Sequence, residues 1–216
     1  MALSKFKQAE AYAAHSLQHD LLAAFLYHNA AHTLEEIVPA CQQLAELEGL
    51  PERERQLLLT AAYFHDLGFT AVESTDPQTS AAARASHEEK SAEIARAVLP
   101  AFGFDYGEID LICRLILATQ WGHQPQNIME AIIRDADMSS IGGDLAYYRK
   151  TSAALRQEIA MFGTHMTDAT WLERQISTLS LHTFHTPSAR KLYDANRLEN
   201  IRDNQRRLEN LSAPSQ

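Results

Sequence analysis

The sequence predicts an all-α protein, and three observations on its apolar pattern and its helix-breaking residues support this. No convincing run of alternating apolar and polar residues, which would mark half-buried strands, occurs in the chain. Gly49 and Pro51 form the Gly-then-Pro break that separates consecutive helices. The segment from Pro51 to His65 is apolar on nearly every side, which is typical of a helix at the centre of a bundle. We therefore expect one all-helical domain over residues 1–216, with a core at about 20–145 and a helical extension at about 146–211.

The other helices are predicted from capping residues and from Gly and Pro. Ser86 followed by Glu89 matches a capping box, so a helix is expected from Ser86 to Leu99. The Ser/Thr/Ala-rich segment from Phe69 to Ser86 is interpreted as a long loop, of the kind that forms lids or binding loops. The charge run of the last helix indicates a solvated face, and the tail Ser212–Gln216 is expected to be disordered. Further helices are expected at Asp105–Thr119, Pro125–Asp137, Gly143–Phe162, Asp168–Leu181 and Pro187–Leu211.

Composition and charge narrow the class of protein. The content of 45% hydrophobic and 22% charged residues is ordinary for a globular protein. A net charge of −9 disfavours extended nucleic acid as a partner. No stretch reaches the roughly 20 apolar residues of a membrane-spanning helix, and the N-terminus carries no apolar signal region. We therefore expect a cytoplasmic protein that does not bind membranes, with Cys41 and Cys113 as reduced thiols.

Histidines and aspartates in the first two thirds of the chain indicate a metal site. His28 and His32 are four residues apart, so on a helix they would share one face. His65 and Asp66 end the buried helix, and burying this pair is costly unless a cation compensates the charge. Imidazole and carboxylate ligands together suit Mn, Fe, Zn or Mg. A second His-Asp pair, His19-Asp20, follows no buried apolar helix and is interpreted as surface.

The order of a His, a His-Asp pair and a distant Asp resembles the HD superfamily of metal-dependent phosphohydrolases. The resemblance covers about residues 25–145 and includes the spacing of the motifs. The element Tyr27-His28-Asn29-Ala30-Ala31-His32 is also similar to the opening motif of cyclic-nucleotide phosphodiesterases, which share this architecture. The resemblance implies an HD-domain helical bundle with additional C-terminal helices.

The resemblance also implies a role for each motif residue. His32, His65, Asp66 and Asp137 would hold the first of one or two divalent metal ions. Asp66 stands at the position that bridges two ions, and a metal-held water with a lowered pKa would attack phosphorus. His28 matches the general acid that protonates the leaving oxygen, a role that suits an imidazole near neutral pH.

Several of these assignments have alternatives. His28 is either the catalytic acid or a hydrogen-bond partner of a metal ligand. His87, at a predicted helix start, is either a ligand of a second metal or a solvent-exposed residue. His123, in a turn flanked by Gly and Pro, would complete a six-ligand set for two metals. Asp135 competes with Asp137 for the distal position; the family pattern favours Asp137 and leaves Asp135 on the helix surface or beside a ligand.

Three functions follow as hypotheses. The leading one is hydrolysis of a phosphomonoester or phosphodiester of a nucleotide or another small phosphorylated metabolite. The alternatives are a di-iron oxygenase of the HD type and an inactive regulatory module that binds a nucleotide. Arg84, Lys90 and Arg134 are candidates to contact phosphate, while the substrate itself is left open. The amphipathic last helix suggests a possible homo-oligomer.

Overall fold

The computed structural model describes residues 3–212, and within that range the chain is entirely helical. Its ten α-helices and absence of strands in the described range confirm the predicted fold class. None of the helices in residues 3–212 has the length and apolar character needed to cross a bilayer. The predicted disorder of the tail falls largely on residues 213–216, outside the described range. The helices are α1 (Lys5–His19), α2 (Val38–Leu47), α3 (Glu52–Phe64), α4 (Pro77–Ala85), α5 (His87–Val98), α6 (Tyr106–Leu117), α7 (Ile128–Asp137), α8 (Leu145–Met161), α9 (Asp168–Leu181) and α10 (Pro187–Ser212).

Short segments of tighter or wider helix join these elements. A π-helical segment, His32–Ile37, leads directly into α2. Segments of 3₁₀-helix follow α3, α5 and α7, at Leu67–Ala71, Leu99–Phe102 and Ser139–Gly142. π-helical turns inside longer helices often mark functional sites, because they redirect side chains.

Helix α3 lies at the centre of the core, as its apolar sequence predicts. Leu58, Ala61 and Phe64 have no exposed surface. The helix packs against α1, α2, α6 and α7, which bring residues such as Ile112 and Ile132 into the same cluster. Burying each such large apolar side chain contributes about 1.5–3 kcal/mol. The end of α3 is therefore held firmly, and the His-Asp pair follows that end.

The segment predicted as a loop from Phe69 to Ser86 is partly helical, so that prediction was wrong. Asp76 accepts a hydrogen bond from the backbone N–H of Gln78, and Pro77 is the first residue of α4. An Asp N-cap followed by Pro is a helix start signal, whereas the sequence analysis interpreted the pair as a turn. The Ser86 hydroxyl donates to the carbonyl of Ala82. The predicted capping box is therefore absent, although α5 does begin at the next residue.

The C-terminal helices pack on the bundle through buried polar contacts. The start of α10 is anchored by Asp135, which accepts hydrogen bonds from the backbone N–H groups of His185 and Thr186 and from the Thr186 hydroxyl. Asp135 is completely buried, so its predicted place on the helix surface was wrong, and its hydrogen bonds go to His185 and Thr186. The carboxylate has this buried position because it satisfies the backbone donors that precede α10.

The charge run of α10 is only partly a solvated face. Asp203 has 4% exposure and accepts two hydrogen bonds from the Arg149 guanidinium of α8. Asn200, also buried, donates to the carbonyls of Ile141 and Gly143. These contacts join α10 to α8 and to the 3₁₀ segment after α7, so the extension is attached directly behind the end of α7.

Candidate metal centre

Three buried side chains meet where the π-helical segment passes the end of α3. His32 begins the π-helical segment, and His65 and Asp66 directly follow α3. Their exposed fractions are 2%, 1% and 3%, and one ligand atom of each lies within 4.8 Å of the others. Imidazole nitrogens and a carboxylate oxygen at these separations are able to share one cation. The group is consistent with a metal site.

The two histidines of this group present the same ring nitrogen to the cluster. The Nδ1–H of His65 donates to the carbonyl oxygen of Ala62 at 2.8 Å, and that of His32 donates to Glu36 at 3.1 Å. Because these oxygens only accept, Nδ1 carries a hydrogen, and loss of the second proton leaves the lone pair on Nε2. The Nε2 atoms of His65 and His32 lie 3.3 and 3.9 Å from Asp66 Oδ2. Histidines that bind metals are held in this way by a partner on the other nitrogen.

The cluster contains polar atoms that the chain itself does not satisfy. His65 Nε2 and Asp66 Oδ2 are buried and have no hydrogen-bond partner among the described residues. A buried polar group left without a partner costs about 1–3 kcal/mol, and more when it is charged. A divalent cation would satisfy both atoms at once, so these residues fit a metal ion.

The pKa shifts of the cluster residues also indicate that positive charge is needed beside the carboxylates. Burial alone would raise the pKa of Asp66, but the His65 imidazole holds that pKa well below its usual range. Burial alone would lower the pKa of His32, but the nearby carboxylates of Asp137 and Glu36 raise it to about 9. The carboxylates therefore stay ionised, and without a cation they retain protons on the imidazoles as the compensating charge.

Asp137, the last residue of α7, faces the cluster from the opposite side. Its Oδ1 lies 3.7 Å from His32 Nε2 and 3.6 Å from His65 Nε2. The side chain is less buried than the other three, with its carboxylate beside the open cavity described below. The structure thus brings together all four residues that the resemblance assigned to the first metal, while Asp135 points towards α10.

His87 reaches the cluster from the first turn of α5. Its Nδ1–H donates to the carbonyl of Arg84 at 2.8 Å, and its Nε2 lies 3.6 Å from Asp66 Oδ1. The ring stacks on Phe69 with centroids 4.0 Å apart. His87 therefore lies close to the cluster and is only partly exposed. It faces Asp66 Oδ1, whereas His65 faces Asp66 Oδ2.

His28 lies beside the cluster but not on a helix with His32, so the predicted shared helix face was wrong. The chain at His28 is a bend, and Asn29 caps the following helix by accepting from the backbone N–H groups of Ala31 and His32. The rings of His28 and His32 still approach to 5.8 Å between centroids. Proximity here comes from the capped turn rather than from helical spacing.

A buried carboxylate from α8 holds His28 in place. Glu158 accepts from His28 Nδ1 at 2.5 Å and from the backbone N–H groups of Tyr27 and His28. Burial alone would lower the pKa of His28, but the Glu158 carboxylate raises it above the usual value. Glu158 could not be found from the sequence, because it is 130 residues from His28 and lies in an ordinary polar helix pattern.

A cavity of about 390 Å³ opens over the cluster. Its lining includes residues of the cluster and its surroundings, among them His28, Asp66, His87 and Asp137. Residues of α8 and α9, in the extension, also line it. The remaining lining residues are Tyr27, Glu88, Thr119, Trp121, Met138, Ser140, Ile141, Tyr148, Thr151, Ser152, Leu155, Arg174, Gln175 and Thr178. Its size is within the range of small-molecule sites.

Four other sequence candidates are not part of this arrangement in the described residues. None of them lines the cavity, and each has a partner elsewhere. Their partners are Glu130 for His123, the Phe162 ring for Arg84, Glu93 for Lys90, and the carbonyls of Ala118 and Gln120 for Arg134.

Comparison with protein families assigns the chain. The model of the HD domain matches residues 30–140, which is more than half of the chain and contains His32, His65, Asp66 and Asp137. The chain therefore belongs to the HD domain family, a superfamily of metal-dependent phosphohydrolases, and the resemblance seen in the sequence is confirmed. No curated protein and no solved structure gave a match.

The position of His87 depends on a close backbone contact with Gly68. A Cβ added at Gly68 would lie 1.9 Å from the carbonyl oxygen of His87. The Ser91 hydroxyl strengthens this contact, since it donates to the His65 carbonyl and accepts from the Gly68 N–H. Gly68 is therefore required for close approach, and it lies beyond the end of α3 at Phe64.

We expect Gly68→Ala to destabilise the protein and to weaken metal binding together. The added methyl has to push α5 away, which costs about 1–3 kcal/mol or more and displaces His87. Thermal unfolding and metal titration measure the two effects. Gly107→Ala is the matched control, because its Cβ would meet only Asp105 Oδ1 at 3.4 Å. Equal behaviour of the two variants would contradict the packing argument.

We also expect metal binding to release protons at neutral pH. His32, with a pKa of about 9, and His65, with a pKa well above its usual value, hold protons at pH 7 before a metal binds. Ligation needs their lone pairs, so affinity falls as the pH is lowered. Calorimetry in buffers of different ionisation enthalpy measures the protons released. A binding enthalpy that does not vary with the buffer would refute this expectation, and His32→Ala should release fewer protons.

Proposed function

We propose that this protein is a metal-dependent phosphohydrolase that cleaves a phosphomonoester or phosphodiester of a nucleotide or another small phosphorylated metabolite. The observation that carries the proposal is the buried group of His32, His65 and Asp66, whose ligand atoms lie within 4.8 Å of one another. Asp137 and His87 lie beside this group, and the His32, His65 and His87 rings are each fixed through Nδ1. Family membership supports the reaction class. The 390 Å³ cavity beside the cluster supports a small substrate.

The residues divide into two sets of ligands around Asp66. His32, His65 and Asp137 would hold the first ion together with Asp66 Oδ2, which faces both imidazoles. Asp66 Oδ1 faces His87 instead, so the carboxylate is placed to bridge to a second ion that His87 would hold. When bound, such ions supply a nucleophilic hydroxide at neutral pH and neutralise phosphate charge.

His28 is proposed as the general acid. Its Nδ1–H is bound to Glu158, which leaves Nε2 as the nitrogen able to carry a transferable proton. The ring lines the cavity beside Asp66, so a proton on Nε2 is available to a leaving oxygen held there. Glu158 would act as a positioning residue, because it orients the ring and stabilises its protonated form.

The placement of His123 bears on the oxygenase alternative. That hypothesis needed His123 as a sixth ligand, and the structure pairs His123 with Glu130 at 2.9 Å. Hydrolysis is therefore the function that the arrangement favours. An inactive nucleotide-binding module remains a hypothesis that the activity measurement below tests.

We expect Asp66→Ala to abolish metal-dependent hydrolysis of phosphoesters. The substitution removes the one carboxylate that faces all three histidines of the cluster. A panel of phosphomonoesters and phosphodiesters, assayed with Mn, Fe, Zn and Mg, gives the wild-type activity to compare. Asp20→Ala is the matched control, because Asp20 follows His19 in an exposed His-Asp pair. Retention of the full rate of hydrolysis in Asp66→Ala would contradict the proposal.

We expect Glu158→Gln to move the alkaline limb of the rate profile to lower pH. A general acid works only while protonated, and the Glu158 carboxylate raises the pKa of His28. Without that charge the pKa falls, so the active form is lost at a lower pH and the rate near pH 8 drops, by about 10²-fold if the full acid contribution is lost. The pH dependence of kcat measures this.

Glu199→Gln is the control for the pH experiment, because it makes the same charge change at an exposed position on α10. Its profile should superimpose on that of the wild type. An unshifted alkaline limb in Glu158→Gln would show that His28 is not the proton donor.

A further inference from the structure

The cavity over the cluster has a cationic residue in its lining. Arg174 lies on α9, a helix that carries none of the cluster residues. Among the described residues that line the cavity, Arg174 is the one lysine or arginine. Three acidic residues, Asp66, Glu88 and Asp137, line the same cavity.

Arg174 and Arg202 are the two arginines of the extension whose side chains have no partner among the described residues, and of these two Arg174 is the one that lines the cavity. Arg149 binds Asp203, Arg156 binds Asp168, and Arg197 binds Asp194. Arg174 is exposed and makes no ion pair or hydrogen bond with any described residue. In a chain with a net charge of −9, a guanidinium left free at a cavity wall is available for a ligand.

The cavity lining also contains apolar side chains. Met138 and Ile141 follow α7, and Leu155 lies on α8; all three line the same cavity as Arg174. Acidic candidate metal ligands, apolar side chains and an unpaired guanidinium therefore occur within one cavity. A ligand that matches all three has an apolar body and two oxyanions.

We propose that Arg174 binds a second oxyanion of the substrate, a carboxylate or a phosphate, remote from the ester that is hydrolysed. This inference rests on the proposed function, because it takes the cluster as the site of the scissile phosphate. Metal ions held by the cluster supply the positive charge for that phosphate, so Arg174 is not needed there. A planar guanidinium binds carboxylate or phosphate through paired hydrogen bonds, which makes it a determinant of specificity.

The test compares substrates that differ only in the remote anion. Phenyl phosphate and para-carboxyphenyl phosphate, with chain-extended homologues of the latter, are assayed with the metal-loaded full chain. In the wild type the best carboxylated substrate should have the lower KM. Arg174→Gln should raise that KM about tenfold with kcat unchanged, because the variant loses the charge-assisted hydrogen bonds to the remote carboxylate. The KM of phenyl phosphate should not change.

Two variants serve as controls. Arg174→Lys keeps the charge and should recover part of the preference for the carboxylated substrates. Arg202→Gln removes an exposed positive charge from α10, outside the cavity, and should leave every KM unchanged. An equal rise in KM for both substrates in Arg174→Gln would place the arginine on the scissile phosphate and overturn the proposal. No change for either substrate would overturn it as well.

A binding measurement separates this proposal from the proposed function. Calorimetry with phenylphosphonate and the carboxylated arylphosphonates needs no turnover. A preference for the carboxylated compounds that disappears in Arg174→Gln supports the second oxyanion site, even if no phosphoester is hydrolysed. Absence of turnover counts against the phosphohydrolase alone, whereas absence of any preference in the wild type counts against Arg174.

Discussion

Burial of the Asp66 carboxylate is the constraint on which the rest of the site depends. A carboxylate with 3% exposure, placed at the end of an apolar helix, is tolerated only if positive charge surrounds it. His32 and His65, whose pKa values are raised, supply positive charge, and the His87 ring approaches from a third segment. Each ring is fixed by an acceptor close to it in sequence, so local structure at each segment determines where its Nε2 points.

The helical extension completes the site as well as covering it. The family match ends at residue 140, yet Glu158 and Arg174 lie beyond that point. The extension is attached through buried polar contacts, with Asp135 holding the start of α10 and Asp203 bound to Arg149. Moving the extension away from the bundle would break several buried hydrogen bonds, so α8 and α9 are held in a fixed position over the cluster. The residues proposed to hold the metal ions therefore lie mostly within the family match, whereas those proposed to orient His28 and to bind a second oxyanion lie in the extension.

Much of the fold and of the cluster was predictable, because the relevant signals are local. The apolar sequence of α3 and the breaks around it predicted a central helix ending at a His-Asp pair. The errors also have local causes. Asp76-Pro77 was interpreted as a turn, although it starts α4. His28 was placed on the same helix as His32, but Asn29 caps the start of that helix, so His28 precedes it.

The outer part of the site was not predictable in the same way. Glu158 meets His28 across 130 residues, and nothing in its neighbourhood distinguishes it from an ordinary surface glutamate. Arg174 has no ion-pair partner, whereas carboxylates of the extension pair with other arginines, and tertiary packing alone determines these pairings. Pairings of this kind become visible only when the helices are placed in three dimensions.

The two tryptophans of the chain differ in surroundings. Trp121 lines the cavity and is 69% exposed, whereas Trp171 is 4% exposed and its indole N–H donates to Ser152. Because indole emission shifts to shorter wavelength in apolar surroundings, Trp121 at the cavity should emit at longer wavelength than Trp171, which is buried inside the extension. Intrinsic fluorescence of the unmodified protein thus distinguishes an event at the cavity from loosening of the helices behind it.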